Sequence, residues 1–221
     1  MNAGSSLSCA SRDSEPRGRT FNLALGPRKQ NMSTPREPED VKLVSSLFSR
    51  QETLLGQVIL ELETFLGSVD WTSPLLCFDR TNYYEAEMGW PLVRRFVSFK
   101  RLIKPDEIVQ VKLLCSARET KHSVNGKRQI NIDPGYLSLE RLVLTTGKNY
   151  THRVYLSKGI YADLTLVFRK GGFVPLPWTY PDYADPGVIG YFNEVRGRYK
   201  TQLRGSQAGS QGPDQRKGEP G

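Results

Sequence analysis

The 221 residues carry a net charge of +8 and only three cysteines, which excludes a disulfide framework and a four-cysteine zinc site and predicts a reducing, cytoplasmic compartment. No run reaches the roughly 18 apolar residues of a membrane span. The basic balance points first to an anionic small molecule or nucleotide and next to RNA, with plain solubility as the alternative; oligomeric state and cofactor stay open.

Residues 1–40 are rich in Ser, Arg, Pro, Glu and Asn around one apolar patch at Phe21 to Leu25, and read as a disordered extension. Met32 begins an ordinary-looking start, Met-Ser-Thr-Pro, which marks residues 1–31 as a candidate mis-assigned extension. Residues 41–203 hold enough apolar sequence for a single α+β domain, and residues 204–221 read as a second disordered tail.

Val41 to Phe48 is a predicted first strand. Ser49 and Glu52 have capping-box spacing, opening a helix whose Leu55, Val58, Ile59, Leu62, Phe65 and Leu66 recur at three- and four-residue steps until Gly67. A second strand is expected over Pro74 to Phe78, a short helix within residues 81–89, and a third strand over Val93 to Leu102, both faces of which are candidates for burial. Pro105, followed by Asp106 and Glu107, starts a second helix carrying Ile108, Val111, Leu114 and Cys115. Gln129 to Asp133 reads as a fourth strand, stopped by Pro134-Gly135, and Leu137 to Thr146 as a short helix. Pro186 opens a last helix with Val188, Ile189, Phe192, Val195 and Tyr199 on its apolar side. The expected class is α+β with a mostly antiparallel sheet, a ferredoxin-like split βαββαβ core extended by a C-terminal hairpin and helix.

That hairpin spans Thr151 to Phe168. A three-residue loop, Ser157-Lys158-Gly159, pairs Leu156 with Ile160 and keeps Val154 and Leu156 on an aliphatic side, where His152 falls opposite Leu164. The other face then sets Arg153 against Asp163, Tyr155 against Tyr161 and Thr151 against Thr165. An ordinary solvated face with one ion pair fits this pattern. So does a ligand site in which Lys148 and Arg153 hold an anion and the tyrosines stack on a flat ring.

Sharper chemistries meet obstacles. The chain has no P-loop, no Gly-x-Gly-x-x-Gly after the first strand and no Gly-x-Ser-x-Gly elbow, and its two histidines, His122 and His152, lack metal-ligand spacing. Asp79 and Asp133 both end predicted strands, yet in the expected sheet they lie about 14 Å apart, whereas a two-metal site spans about 4 Å. Asp133 with Asp163 or Glu87 stays open for magnesium-dependent phosphoryl or nucleotidyl transfer. Arg94-Arg95-Phe96-Val97-Ser98-Phe99 is similar to the aromatic strand of RNA-recognition sheets but lacks the glycine before the first ring, and Val41 to Ser46 offers no stacking ring. An RNA-binding or interaction module would use that strand with Trp178 to Tyr183.

Five motifs occur in order: Tyr83-Tyr84-x-x-Glu87-Met88-Gly89, Arg95-Phe96, Asn131-Ile132-Asp133-Pro134-Gly135-Tyr136, Lys148-Asn149-x-x-His152-Arg153-x-Tyr155 and Trp178-Thr179-Tyr180-Pro181-Asp182-Tyr183. Together they make residues 41–203 resemble an uncharacterised bacterial and archaeal family, the domain-of-unknown-function family numbered 4416. The resemblance implies no mechanism. From the residues themselves, the expected ligand surface comprises Asn131, Asp133, Tyr136, Lys148, Arg153, Tyr155, Tyr161 and Asp163, with Asn131 and Asp133 reading polar edges and no metal assigned.

Overall fold

A computed structural model describes residues 34–210, and the fold below is the unit from Pro38 onward. Expectations for residues 1–33 and 211–221, including the start at Met32, lie outside the described residues. Eleven strands and four helices follow one another: β1 (Val41–Ser49), α1 (Glu52–Leu66), β2 (Val69–Thr72), β3 (Leu76–Cys77), α2 (Glu85–Met88), β4 (Val93–Ile103), α3 (Ile108–Lys121), β5 (Ser123–Val124), β6 (Lys127–Arg128), β7 (Ile130–Leu137), β8 (Arg141–Thr146), β9 (Arg153–Ser157), β10 (Ile160–Arg169), β11 (Gly172–Pro175) and α4 (Pro186–Ser210). Nine strands form one sheet in the order β11-β10-β8-β7-β1-β4-β2, with β3 beside β4 and β9 beside β10. Every pairing is antiparallel, so the chain is α+β with an antiparallel sheet. β4 lies between β1 and β2, and β1 between β4 and β7.

β1 is buried along its whole length because both faces of the sheet are covered. Its odd-numbered Leu43 and Leu47 join Val97, Phe99 and Ile132 under α1 and α3, which contribute Leu55, Val58, Leu62, Ile108 and Cys115. Val44, one step on, faces the other way with Phe96, Leu166 and Phe173, beneath Val188, Phe192, Val195 and Tyr199 of α4. Phe48, Phe78, Met88 and Leu92 make a third cluster at the α2 end. Both faces of β4 are therefore buried. Among the described residues no helix is long and apolar enough to cross a membrane.

Several expected boundaries shift, each for a local reason. Ser49 closes β1 rather than capping α1: its hydroxyl donates to Gln129 O at 2.7 Å and accepts from Gln51 N at 3.0 Å. Gln51 precedes the helix without a side-chain cap, and Glu52 turns to Arg95. The second strand divides into β2 and β3, since Ser73 bonds Phe96 through both its backbone and its hydroxyl before Pro74 breaks the ladder. The second helix begins as a 3-10 turn over Pro105–Glu107, in which Glu107 reaches back to Lys104 N at 3.0 Å.

Pro134-Gly135 does not stop β7, which runs on to Leu137, and where a helix was expected over Leu137 to Thr146 the chain turns and forms β8 (Arg141–Thr146). Pro134 keeps its carbonyl in use, accepting from Thr145 Oγ1 at 2.7 Å. Gly135 lets β8 come close, for a Cβ there would sit 2.3 Å from Val143 O. The hairpin turns on two residues, Lys158 at φ 51° and Gly159 at φ 77°, and a bulge at Leu156 restores the register. α4 continues past Leu203 to Ser210.

Candidate functional site

The sheet opens between β7 and β8. β1 pairs with β7 from Ile130 onward, whereas β8 joins only at Gly135. In the gap α3 supplies side chains where a strand would supply backbone: Ile132 N donates to Glu119 Oε1 at 2.7 Å, and Lys112 Nζ donates to Ile132 O at 2.9 Å. Lys112 also reaches Asp133 Oδ1 at 3.4 Å. Burial works to lower the lysine's pKa, but Asp133 and Glu119 outweigh it and hold the pKa above its ordinary value. For Glu119 burial is the dominant influence, and its pKa is raised.

From Asp133 a polar chain runs outward. Asn131 Nδ2 donates to Asp133 Oδ2 and Arg128 Nη1 to Asn131 Oδ1, both at 2.7 Å. Glu87 clasps Arg128 with both oxygens, at 2.6 Å to Nε and 2.7 Å to Nη2. That bond depresses the Glu87 pKa and lifts that of Arg128. Tyr84 stands over this chain. Burial, then Asp133, pushes its phenol well above the ordinary range.

The hairpin and the segment before α4 form the adjoining part. Arg153 Nε donates to Asp163 Oδ2 at 2.9 Å, and His152 Nε2 lies 3.3 Å from the same oxygen. Arg153 also donates to Lys148 O at 3.0 Å and to the Tyr180 hydroxyl at 3.4 Å. Burial opposes its charge, yet Asp163 prevails and the guanidinium pKa is raised. Residues 176–185 cross the sheet as a strap. Trp178 stacks on His152 with ring centres 5.4 Å apart and donates its Nε1 to Leu164 O at 2.8 Å. Thr179 donates to Thr165 O, Asp182 receives Arg94, Tyr183 enters the core, and Asp185 meets Arg80 at 3.3 Å.

Not all the expected surface residues meet. Arg153 with Asp163 and Tyr155 with Tyr161 pair as expected, the tyrosine rings edge to face at 5.3 Å. Thr151 precedes β9 and pairs with nothing in that ladder. Val154 and Leu156, expected on a buried side, are exposed because β9 is an outer strand, and His152 is held between the Asp163 carboxylate and the rings of Trp178 and Tyr150. Tyr136 is separated from Asn131 and Asp133: it pairs with Leu43, faces α1 and α3, and lines a depression with Arg141 and Tyr199.

Asn131–Asp133 and Lys148–Arg153–Asp163 are instead linked by tyrosines that were not expected at the site. Lys148 Nζ donates to Tyr83 OH at 2.5 Å, Tyr83 meets Tyr84 edge-on at 4.9 Å, and Tyr180 takes Arg153. Lys112, Glu119 and Arg128 were missed as well, and Arg94 was expected only on an RNA-binding strand. The signal for two of them is in the sequence, because Lys112, Cys115 and Glu119 follow Ile108 on one helical stripe, a polar interruption of a buried face.

Asp133, Asp163 and Glu87 are each committed to a cation, and among the described residues no three His, Cys, Asp or Glu side chains come together as a metal would need. Phe96 and Phe99 are buried and cannot stack on a base. Asp79 is exposed beside Arg80. No curated protein and no solved structure matches the chain. The model of a family described as a domain of unknown function, DUF4416, matches residues 39–199, a span from the start of β1 into α4 that contains every side chain of this site, and the chain belongs to that family.

Proposed function

We propose that the protein binds a phosphorylated small molecule or nucleotide where Lys148 meets the exposed tyrosines. The observation that carries this reading is a set of open aromatic rings, one on the Lys148 ammonium and the others beside His152 and Arg153. Tyr83, Tyr150 and Tyr180 are 63%, 64% and 57% exposed, Trp178 is 40% exposed, and Lys148 Nζ lies 4.5 Å from the Tyr83 ring centre. Rings left in water beside a lysine and an arginine offer a flat base a stacking surface and its phosphate a counter-charge. Lys148 is exposed, so it can turn from the Tyr83 hydroxyl to an incoming anion. Arg153, with its partners already in place, positions Lys148 through its backbone carbonyl and Tyr180 through its hydroxyl. Asn131 and Asp133 would read polar edges beyond Tyr84.

Magnesium-dependent transfer has less support, since the carboxylates it needs are spent on Arg128, Arg153 and Lys112. An RNA module would lack Phe96 and Phe99. Cys77 and Cys115 are free thiols, which suits the cytoplasmic setting the reading assumes. Titration with a panel of nucleotides, followed by thermal shift and calorimetry, tests the proposal. At least one is expected to stabilise the protein, with Lys148→Ala weakening it about tenfold and Tyr83→Ala costing about 1–3 kcal/mol of binding. Well-folded protein indifferent to the whole panel sinks it.

A further inference from the structure

On the α4 side of the sheet three buried polar atoms lack a hydrogen-bond partner: Ser46 Oγ, Arg94 Nε and the Tyr183 hydroxyl. Their residues are 1%, 5% and 4% exposed, so bulk water does not serve them. The strand register brings them together. Ser46 lies opposite Phe96 on β4 and Asp133 on β7, and Arg94, two residues from Phe96, shares that face. Tyr183 packs edge-on against Phe96 at 5.5 Å, with Arg94 Cζ 5.5 Å from its ring centre. Ser46 exerts a weak hydrogen-bonding pull on the Tyr183 phenol, the least of the influences on it, but the contact does not reach the geometry of a full hydrogen bond. A donor left unmet in an interior loses its water without replacement. Three in one place call for an occupant.

Asp182, on the strap, answers Arg94 only through Nη1. Its carboxylate stands at the rim, 15% exposed. A planar carboxylate at that position leaves Nε, Ser46 and Tyr183 unserved, whereas the oxygens of a tetrahedral oxyanion point in enough directions to meet all three. Burial holds the Tyr183 phenol far above its ordinary pKa, so it remains a donor. Phe48, Phe78 and Phe96 surround the guanidinium at 5.3, 4.0 and 5.4 Å and fix its plane. Tyr84 connects this cluster to the exposed surface: it touches Tyr83 edge-on on one side and Phe48 and Phe78, the rings beside Arg94, on the other.

We infer that Arg94, Ser46 and Tyr183 form the receptor for a phosphate group, and that Asp182 is an internal stand-in which occupies Arg94 until the phosphate displaces it. The inference rests on the reading above that the ligand is phosphorylated, and it moves the anion's main contact from Lys148 to Arg94. The buried guanidinium is never left without an anion, because the phosphate arrives as the carboxylate leaves for solvent.

Asp182→Asn tests this, since the amide keeps an oxygen for Arg94 but no charge to compete. Wild type and variant are titrated with inorganic phosphate by calorimetry. The variant is expected to bind at least about tenfold more tightly, because a site closed most of the time has its affinity reduced by the fraction open. Adding Ser46→Ala or Tyr183→Phe to it should take the gain away. No gain, or one that survives both additions, overturns the inference. Should Asp182→Asn fail to fold, wild-type crystals soaked in tungstate decide: a tetrahedral anion on Arg94 with Asp182 turned outward supports the receptor, and a lone water with Asp182 in place refutes it. Lys148→Ala separates the two proposals. Lost nucleotide binding there, with the Asp182→Asn response to phosphate intact, leaves the receptor standing. Nucleotide binding that ignores Asp182, Ser46 and Tyr183 removes the receptor and spares the wider reading.

Discussion

Glu87 and Glu119 lie on either side of Arg128, and their titrations pull stability in opposite directions. Arg128 holds the Glu87 pKa below its ordinary 4.5, so the folded chain binds that proton less tightly than the unfolded one. The stabilisation is complete above about pH 4.5 and fades as pH falls through the folded value. Burial raises the Glu119 pKa, so its charge costs stability that returns as pH drops through the raised value toward 4.5. Glu87→Gln is therefore expected to lose about 1–2 kcal/mol in urea denaturation at pH 7. The gap to wild type should close once the pH falls below the folded Glu87 pKa; a constant gap from pH 7 to pH 3 would contradict the assignment. Asn131, Asp133, Arg153 and Asp163 were legible as site candidates because strand alternation groups them. Arg128 was not, because its partners Glu87 and Asn131 come from a short helix and a strand that only the folded chain brings together.

At the scale of elements, the long helices and the strands β1 and β4 could be read from periodicity, since their apolar residues repeat at the helical or strand spacing. Errors gathered where one residue has two conformational uses. Pro134-Gly135 looks like a stop, yet in β7 the proline offers its carbonyl to Thr145 and the glycine admits β8. Asn125-Gly126, with φ of 51° and 73°, is a strong hairpin signal that passed unread between β5 and β6. The pairing of Arg153 with Asp163 was anticipated from the wrong loop, because a bulge at Leu156 offsets the shorter turn by one residue. Gly135→Ala puts a methyl against a backbone carbonyl that cannot yield without parting β8 from β7. It is expected to cost about 3 kcal/mol or more, read as a lowered urea midpoint, whereas Gly126→Ala, with open space around it, should cost about 1 kcal/mol from its positive φ alone.

For the molecule as a whole, one sheet serves two cores: α1 and α3 cover one face, and α4 covers the other. Neither can melt without baring the strands that line its counterpart. Phe192→Ala is expected to cost about 3–5 kcal/mol. Chemical denaturation should still show one transition, with tryptophan fluorescence and far-ultraviolet dichroism coinciding; separated midpoints would show that the cores are independent. The gap beside Ile132 has a consequence beyond this chain. An unpaired run of strand backbone is a template on which another copy can add itself and begin an aggregate. Lys112 and Glu119 already fill that template with a donor and an acceptor of their own, so any invading strand would first have to evict a bracket anchored on a helix.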